Sequence, residues 1–177
     1  GRSCNNTYYD FMFEEEAVFF GKFTYDTVSG SYSGIPTQIT CEGDITPSLI
    51  AASSNLTFSD GNFELTSNVV FDYTINLYNA SLDCNGYNIS NGNSGNDGII
   101  LYDGSSVINC SVDGFFNGFY LWGDYSSVTS STSSGNSATG FLLTGDYSSV
   151  TGSTALLNDE YGFVLEGYQA SIKNPEA

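Results

Sequence analysis

Residues 118–132 read GFYLWGDYSSVTSST and residues 140–154 read GFLLTGDYSSVTGST. The same frame opens at Gly98 as GIILYDGSSVINCSV and at Gly162 as GFVLEGYQASIKNP, so the glycines recur at offsets of 20, 22 and 22 residues. Side chains alternate faces along a strand, so positions two apart share a face. The position after each glycine is Ile99, Phe119, Phe141 or Phe163, and two further on stands Leu101, Leu121, Leu143 or Leu165. Both columns are large and apolar and must face a core. After a bend at Gly-Asp-Tyr-Ser-Ser comes a third such column, Val107, Val128, Val150 and Ile172. The reading is a right-handed parallel β-helix in which each turn carries two short strands, successive turns stacking at roughly 4.8 Å. A leucine-rich repeat has a similar period. However, the segments here are short, rich in β-branched and aromatic residues, and bounded by Gly, Asn, Asp and Ser, and none keeps a helical period.

Working outward, the register loosens before Gly98. Short strand-like segments lie at Ile39-Thr40, Asn55–Phe58, Phe63–Leu65, Val69–Phe71 and Ile75–Leu77, enough for two or three more turns. Residues 81–90, SLDCNGYNIS, followed by the Gly-apolar-X-Leu turns, resemble the NosD-type β-helix repeat family of the pectin-lyase-like superfamily. That family is frequent in archaeal and bacterial surface proteins. The resemblance covers roughly residues 39–177, and it implies the fold more than any activity. Asn109-Cys110 occupies the family's Asn-Cys corner once; Ser130-Ser131 and Gly152-Ser153 replace it later. The expected organisation is an aromatic, acidic cap or arm over residues 1–30 and a β-helix over residues 31–177.

Composition limits the partners. Twenty acids face three bases, a net charge of −17, and there is no histidine. Such a surface repels nucleic acid, because phosphate binding needs Lys and Arg. No apolar run approaches the ~20 residues of a membrane span. The bases Arg2, Lys22 and Lys173 sit near the termini, away from the central turns. Four cysteines, Cys4, Cys41, Cys84 and Cys110, fit neither a zinc ribbon nor a CxxC motif and suit an oxidising compartment. Cys84 and Cys110 fall within a residue of register at one corner, the best disulfide candidate; Cys4 and Cys41 either pair or link subunits. Sequons at Asn5, Asn55, Asn79, Asn88 and Asn109 point to the same compartment. The chain opens GRSC without a signal-like segment, as a processed extracellular protein would.

Three features bear on function. The outward column Ile100, Tyr120, Leu142 and Val164 is apolar where a solvated face should be polar, which marks it as an assembly interface or a covered face. The segment Tyr8–Tyr25 is dense in aromatics around Glu14-Glu15-Glu16 and needs packing, as a cap or as an arm on a neighbouring subunit. The last turn stops at Asn-Pro-Glu-Ala without an amphipathic cap; the expectation is either an open edge suited to head-to-tail stacking or an edge blocked by Pro175 and Glu176 that leaves a monomer. The corner column Asp103, Asp124 and Asp146 stacks like charges, which either solvent or a bound Ca²⁺ would relieve; no other cofactor is expected. Tyr125, Tyr147 and Tyr168 beside it read as an aromatic ladder.

Catalysis is not expected. The superfamily resemblance would imply a basic residue and Ca²⁺ for a lyase, or clustered carboxylates for a hydrolase. Only Asp83, Asp97, Asp103 and Asp113 make a cluster, and no Arg or Lys accompanies them. The sequence therefore reads as the subunit of an extracellular sheath, fibre or surface layer, self-associating head to tail and laterally. In its scarcity of protease sites it is similar in character to the resistant sheath proteins of filamentous methanogens. The alternatives are a monomeric surface module binding cell-wall glycans through Trp122 and Tyr120, or, behind that, a polysaccharide-degrading enzyme.

Overall fold

The computed structural model describes residues 38–39, 43–45, 55–91 and 95–176. The expected N-terminal cap or arm, Cys4, Cys41 and Asn5 lie outside them. The described residues are all β and all strand pairs are parallel, arranged as a solenoid with three sheets. The first sheet stacks Gln38–Ile39, Leu56–Ser59, Ile75–Tyr78, Ile99–Leu101, Phe119–Leu121, Thr139–Leu143 and Tyr161–Leu165. The second stacks Gly43–Ile45, Asn62–Leu65, Ser81–Asp83, Ser106–Ile108, Ser127–Thr129, Ser149–Thr151 and Ser171–Lys173. The third stacks Val69–Val70, Asn88–Ser90, Ser111–Asp113, Thr132–Ser134 and Thr154–Leu156.

The repeat columns read from the sequence are the registers observed. Phe119 pairs with Ile99 on one side and Phe141 on the other, and Phe141 pairs with Phe163. Val107, Val128, Val150 and Ile172 pair in series. Their side chains fill the interior: Ile99, Leu101, Phe119, Leu121, Phe141, Leu143, Val128 and Val150 are all fully buried. The phenyl rings stack at the strand spacing, Phe119 on Phe141 at 4.9 Å and Phe141 on Phe163 at 5.0 Å, both pairs nearly parallel. Each buried Phe or Leu stabilises the array by about 1.5–3 kcal/mol.

Five turns, from Leu56 to Leu156, each have three strands, not the two the sequence implied. The third strand is hard to read because its inward position shrinks along the array, from Ile89 and Val112 to Ser133 and Ala155. A column of small or hydroxylated residues gives no hydrophobic signal. Ser133 is buried nonetheless, because its hydroxyl donates to the Gly140 carbonyl at 2.8 Å.

The bend after the first sheet explains the Gly-Asp-Tyr-Ser-Ser motif one residue at a time. Thr144 and Gly145 both donate their N–H to Leu121 O at 3.0 Å, which folds the chain tightly against the turn before. A Cβ on Gly145 would lie 2.2 Å from Gly123 O, so only glycine fits; Gly167 meets Gly145 O at the same distance. Ser126 and Ser148 are fully buried and donate to Tyr102 O and Gly123 O, each at 3.1 Å. Tyr125 and Tyr147 take left-handed φ of 57°, the conformation of Gly104 one turn earlier.

The third corner carries a strained apolar residue. Leu157 has φ 53° and is 89% exposed, and it follows Gly114 and Gly135 in the same left-handed column. A left-handed bulky residue costs roughly 1–2 kcal/mol, and no burial repays it here. Leu157→Gly is expected to raise stability by about 1 kcal/mol, read as a higher urea midpoint at unchanged slope. A lowered midpoint would show that the leucine makes a contact worth more than the strain.

Candidate functional site: the outer face of the first sheet

Three sets of residues compete for a functional role. They are the turn-to-turn carboxylates, the cystine corner and the outward face of the first sheet.

The carboxylates are engaged in holding turns together. Asp103 Oδ1 accepts the Asp124 N–H, Asp124 Oδ1 accepts the Asp146 N–H, and Asp146 Oδ1 accepts the Tyr168 N–H, each at 2.8 Å. A charge-assisted hydrogen bond of this kind offsets the repulsion between stacked carboxylates. The column thus has an architectural use that needs no Ca²⁺. Tyr168 proves to occupy the aspartate column, while Gln169 takes the left-handed position of Tyr125 and Tyr147. The expected tyrosine ladder is therefore shorter. Tyr125 and Tyr147 stack at 5.0 Å, and Tyr168 meets Tyr147 edge-on at 5.9 Å.

The Asp83, Asp97, Asp103 and Asp113 group is dispersed. Asp83 ends a strand of the second sheet and Asp113 a strand of the third; Asp97 precedes the first sheet and Asp103 lies in the corner after it. Each has its own partner: Asn85 N–H at 2.8 Å for Asp83, the Asn117 side-chain amide at 2.8 Å for Asp97, and the Asn88 amide at 2.6 Å for Asp113. Among the described residues no three His, Cys, Asp or Glu side chains are grouped to hold a metal ion.

Cys84 and Cys110 form a disulfide between successive turns, with Cα atoms 4.7 Å apart. Both are buried within the core. Ser131 and Ser153 continue their column. The Cys110 N–H donates to Ser131 Oγ at 3.1 Å, and the Ser131 N–H donates to Ser153 Oγ at 3.2 Å. The cystine is thus a covalent version of a contact that serines make elsewhere.

The outward face of the first sheet is different in kind. Ile100, Tyr120, Leu142 and Val164 pair in register and are half-buried against one another. Beside this column runs an aromatic strip that the sequence reading did not identify. Tyr78, Tyr102 and Trp122 each follow an inward leucine, Leu77, Leu101 and Leu121, on consecutive turns. Tyr78 and Tyr102 stack at 3.9 Å and 9°, and Tyr120 meets Trp122 edge-on at 5.5 Å. Trp122 is 58% and Tyr78 41% exposed. Burial, together with a hydrogen bond to Tyr78, pushes the Tyr102 phenol up to about 12. The face is therefore apolar and aromatic over several turns, whereas the outward positions of the second sheet are largely Ser and Thr: Ser106, Ser127, Thr129, Ser149 and Thr151. Comparison with protein-family models, with curated proteins and with solved structures found no match to the chain.

Proposed function

We propose that this chain is a non-catalytic structural subunit of an extracellular assembly such as a sheath, fibre or surface layer, of the NosD-like type that its LDCNG turn resembles. The observation that carries the reading is the continuous apolar column Ile100, Tyr120, Leu142 and Val164 on the outside of the first sheet, widened by Tyr78, Tyr102 and Trp122. Monomeric proteins rarely leave contiguous apolar surface of this kind in water. A flat sheet face is well suited to lateral packing against a second copy, and the net charge of −17 disfavours nucleic acid and anionic lipid as alternatives. The buried Cys84–Cys110 cystine supports an oxidising compartment. Among the described residues no helix is long and apolar enough to cross a membrane.

Electron microscopy and sizing of the native protein, with Tyr120→Glu and Leu142→Glu as variants, test the proposal. Polymers or oligomers are expected for the native chain. Dispersed monomers with an unchanged melting transition are expected for the variants, since both positions point away from the core. A second reading, a surface module binding uncharged cell-wall glycans, is favoured by the aromatic strip, because sugar rings stack on exposed Tyr and Trp. Native monomers that bind neutral polysaccharide and lose it on Trp122→Ala would overturn assembly in favour of that reading.

A further inference from the structure

We propose that Asn79 and Asn109 are N-glycosylation sites of the folded protein and that Asn88, with an equally good sequon, is not. The inference rests on the extracellular location proposed above and concerns a different part of the molecule from the apolar face.

A stacked solenoid makes position within the turn decisive. An asparagine on a strand has neighbours on the same face about 4.8 Å above and below, whereas one at a corner projects past the sheet edge. Asn88 lies within a strand of the third sheet. Its amide donates to Asp113 Oδ1 at 2.6 Å, and its own carbonyl oxygen is buried without a hydrogen-bond partner. A sugar on this amide would lie over the sheet, between the strand neighbours Asn68 and Ser111, rather than past its edge.

Asn79 and Asn109 stand at corners, with left-handed φ of 47° and 53°, and both are exposed. On the preceding turn Asn79 meets Asp60, and the other column neighbours are small. Gly104 follows Asn79 on the next turn, and Gly86 and Ser130 flank Asn109. The surface there is recessed. An open polar groove of about 450 Å³ is lined by Asp60, Asn62, Gly104 and the whole sequon Asn79-Ala80-Ser81. A second, of about 490 Å³, is lined by Asn85, Gly86, Ser130 and the whole sequon Asn109-Cys110-Ser111. In each sequon the middle residue, Ala80 or Cys110, is buried, as Ile89 is in the Asn88 sequon, so all three asparagines face outward and the corner position is what separates them.

The chemistry leaves the corner bonds intact. Transfer from a lipid-linked oligosaccharide joins the sugar C1 to Nδ2, releases one amide proton, and expels the lipid pyrophosphate. One N–H remains on Nδ2. Asn79 Nδ2 now donates to Asp60 Oδ1 at 3.0 Å and Asn109 Nδ2 to Asp83 Oδ1 at 3.4 Å, and the remaining N–H can keep each bond.

The full chain, with Asn5→Gln and Asn55→Gln to remove the other sequons, should be secreted from a eukaryotic host behind a cleavable signal and analysed by intact-mass and glycopeptide mass spectrometry. Two glycan increments are expected. Ser81→Ala and Ser111→Ala should each remove one while leaving the corner asparagine in place, and Asn88→Gln should remove none. Secreted protein that lacks glycan at Asn79 or Asn109, or carries it at Asn88, overturns the proposal. Protein from its natural source reports on location separately. Absence of glycan there, with both sites filled in the secretory host, would count against the extracellular reading alone.

Discussion

Gly145→Ala is expected to destabilise the protein by roughly 3 kcal/mol or more, at the upper end of what overpacking costs. The new methyl would lie 2.2 Å from Gly123 O, 2.5 Å from its carbonyl carbon and 2.9 Å from Ser148 Oγ. The first two contacts are backbone on the adjacent turn, so no rotamer change relieves them. The turns can separate only by lengthening the bonds that Thr144 and Gly145 make to Leu121 O. Gly135→Ala is the matched control. It adds the same methyl where nothing lies within 4 Å, at φ 59°, so only left-handed strain of about 1 kcal/mol applies. Urea unfolding of the two variants beside the native chain checks the prediction. Equal losses would mean that turn spacing is not what makes Gly145 necessary.

The double variant Cys84→Ser and Cys110→Ser is expected to lose about 3 kcal/mol, the entropy of leaving open a loop with a sequence separation of 26. The folded state itself should change little. Serines at 131 and 153 already occupy this column, their hydroxyls donating to Thr129 O at 2.9 Å and Thr151 O at 3.1 Å. A serine at position 110 can make the equivalent bond to Ile108 O. The signature is therefore a lowered denaturation midpoint with the far-ultraviolet spectrum of the native chain, and a native chain under reducing conditions that behaves like the variant. A collapse of secondary structure in the variant would show that the cystine shapes the corner rather than tethering it.

The parts of this fold that could be read from sequence were those where large apolar residues recur at a constant offset. Phe119, Phe141 and Phe163 could belong to no other arrangement once Leu121, Leu143 and Leu165 were set beside them. The disulfide followed from the same alignment, because Cys84 and Cys110 fall at one corner. The third sheet was not legible, since Ser133 and Ala155 stand where a core residue is expected. Tyr168 was placed with Tyr125 and Tyr147 by residue type, although counting from Gly162 sets it opposite Asp146. Tyr102 and Trp122 stand at one offset from Gly98 and Gly118, but Thr144 and Glu166 follow at that offset, so the aromatic strip does not persist as a column through the clear repeats. The aspartate column was visible, but its use was not. Which amide each carboxylate reaches depends on its side-chain rotamer, and repetition alone does not reveal it.

The aspartate bonds run in one direction, each carboxylate reaching the amide of the turn that follows. Every turn between Gly118 and Gly162 thus presents the same acceptor it received and closes with the same glycine gap. Residues 140–161 and 118–139 have the same length, so duplicating such a stretch in a gene would keep the aspartate bond and the glycine gap in register. Such a molecule is a ruler: its length changes in steps of one strand spacing, about 4.8 Å, while the backbone path of each turn and the aspartate bond to the next are repeated.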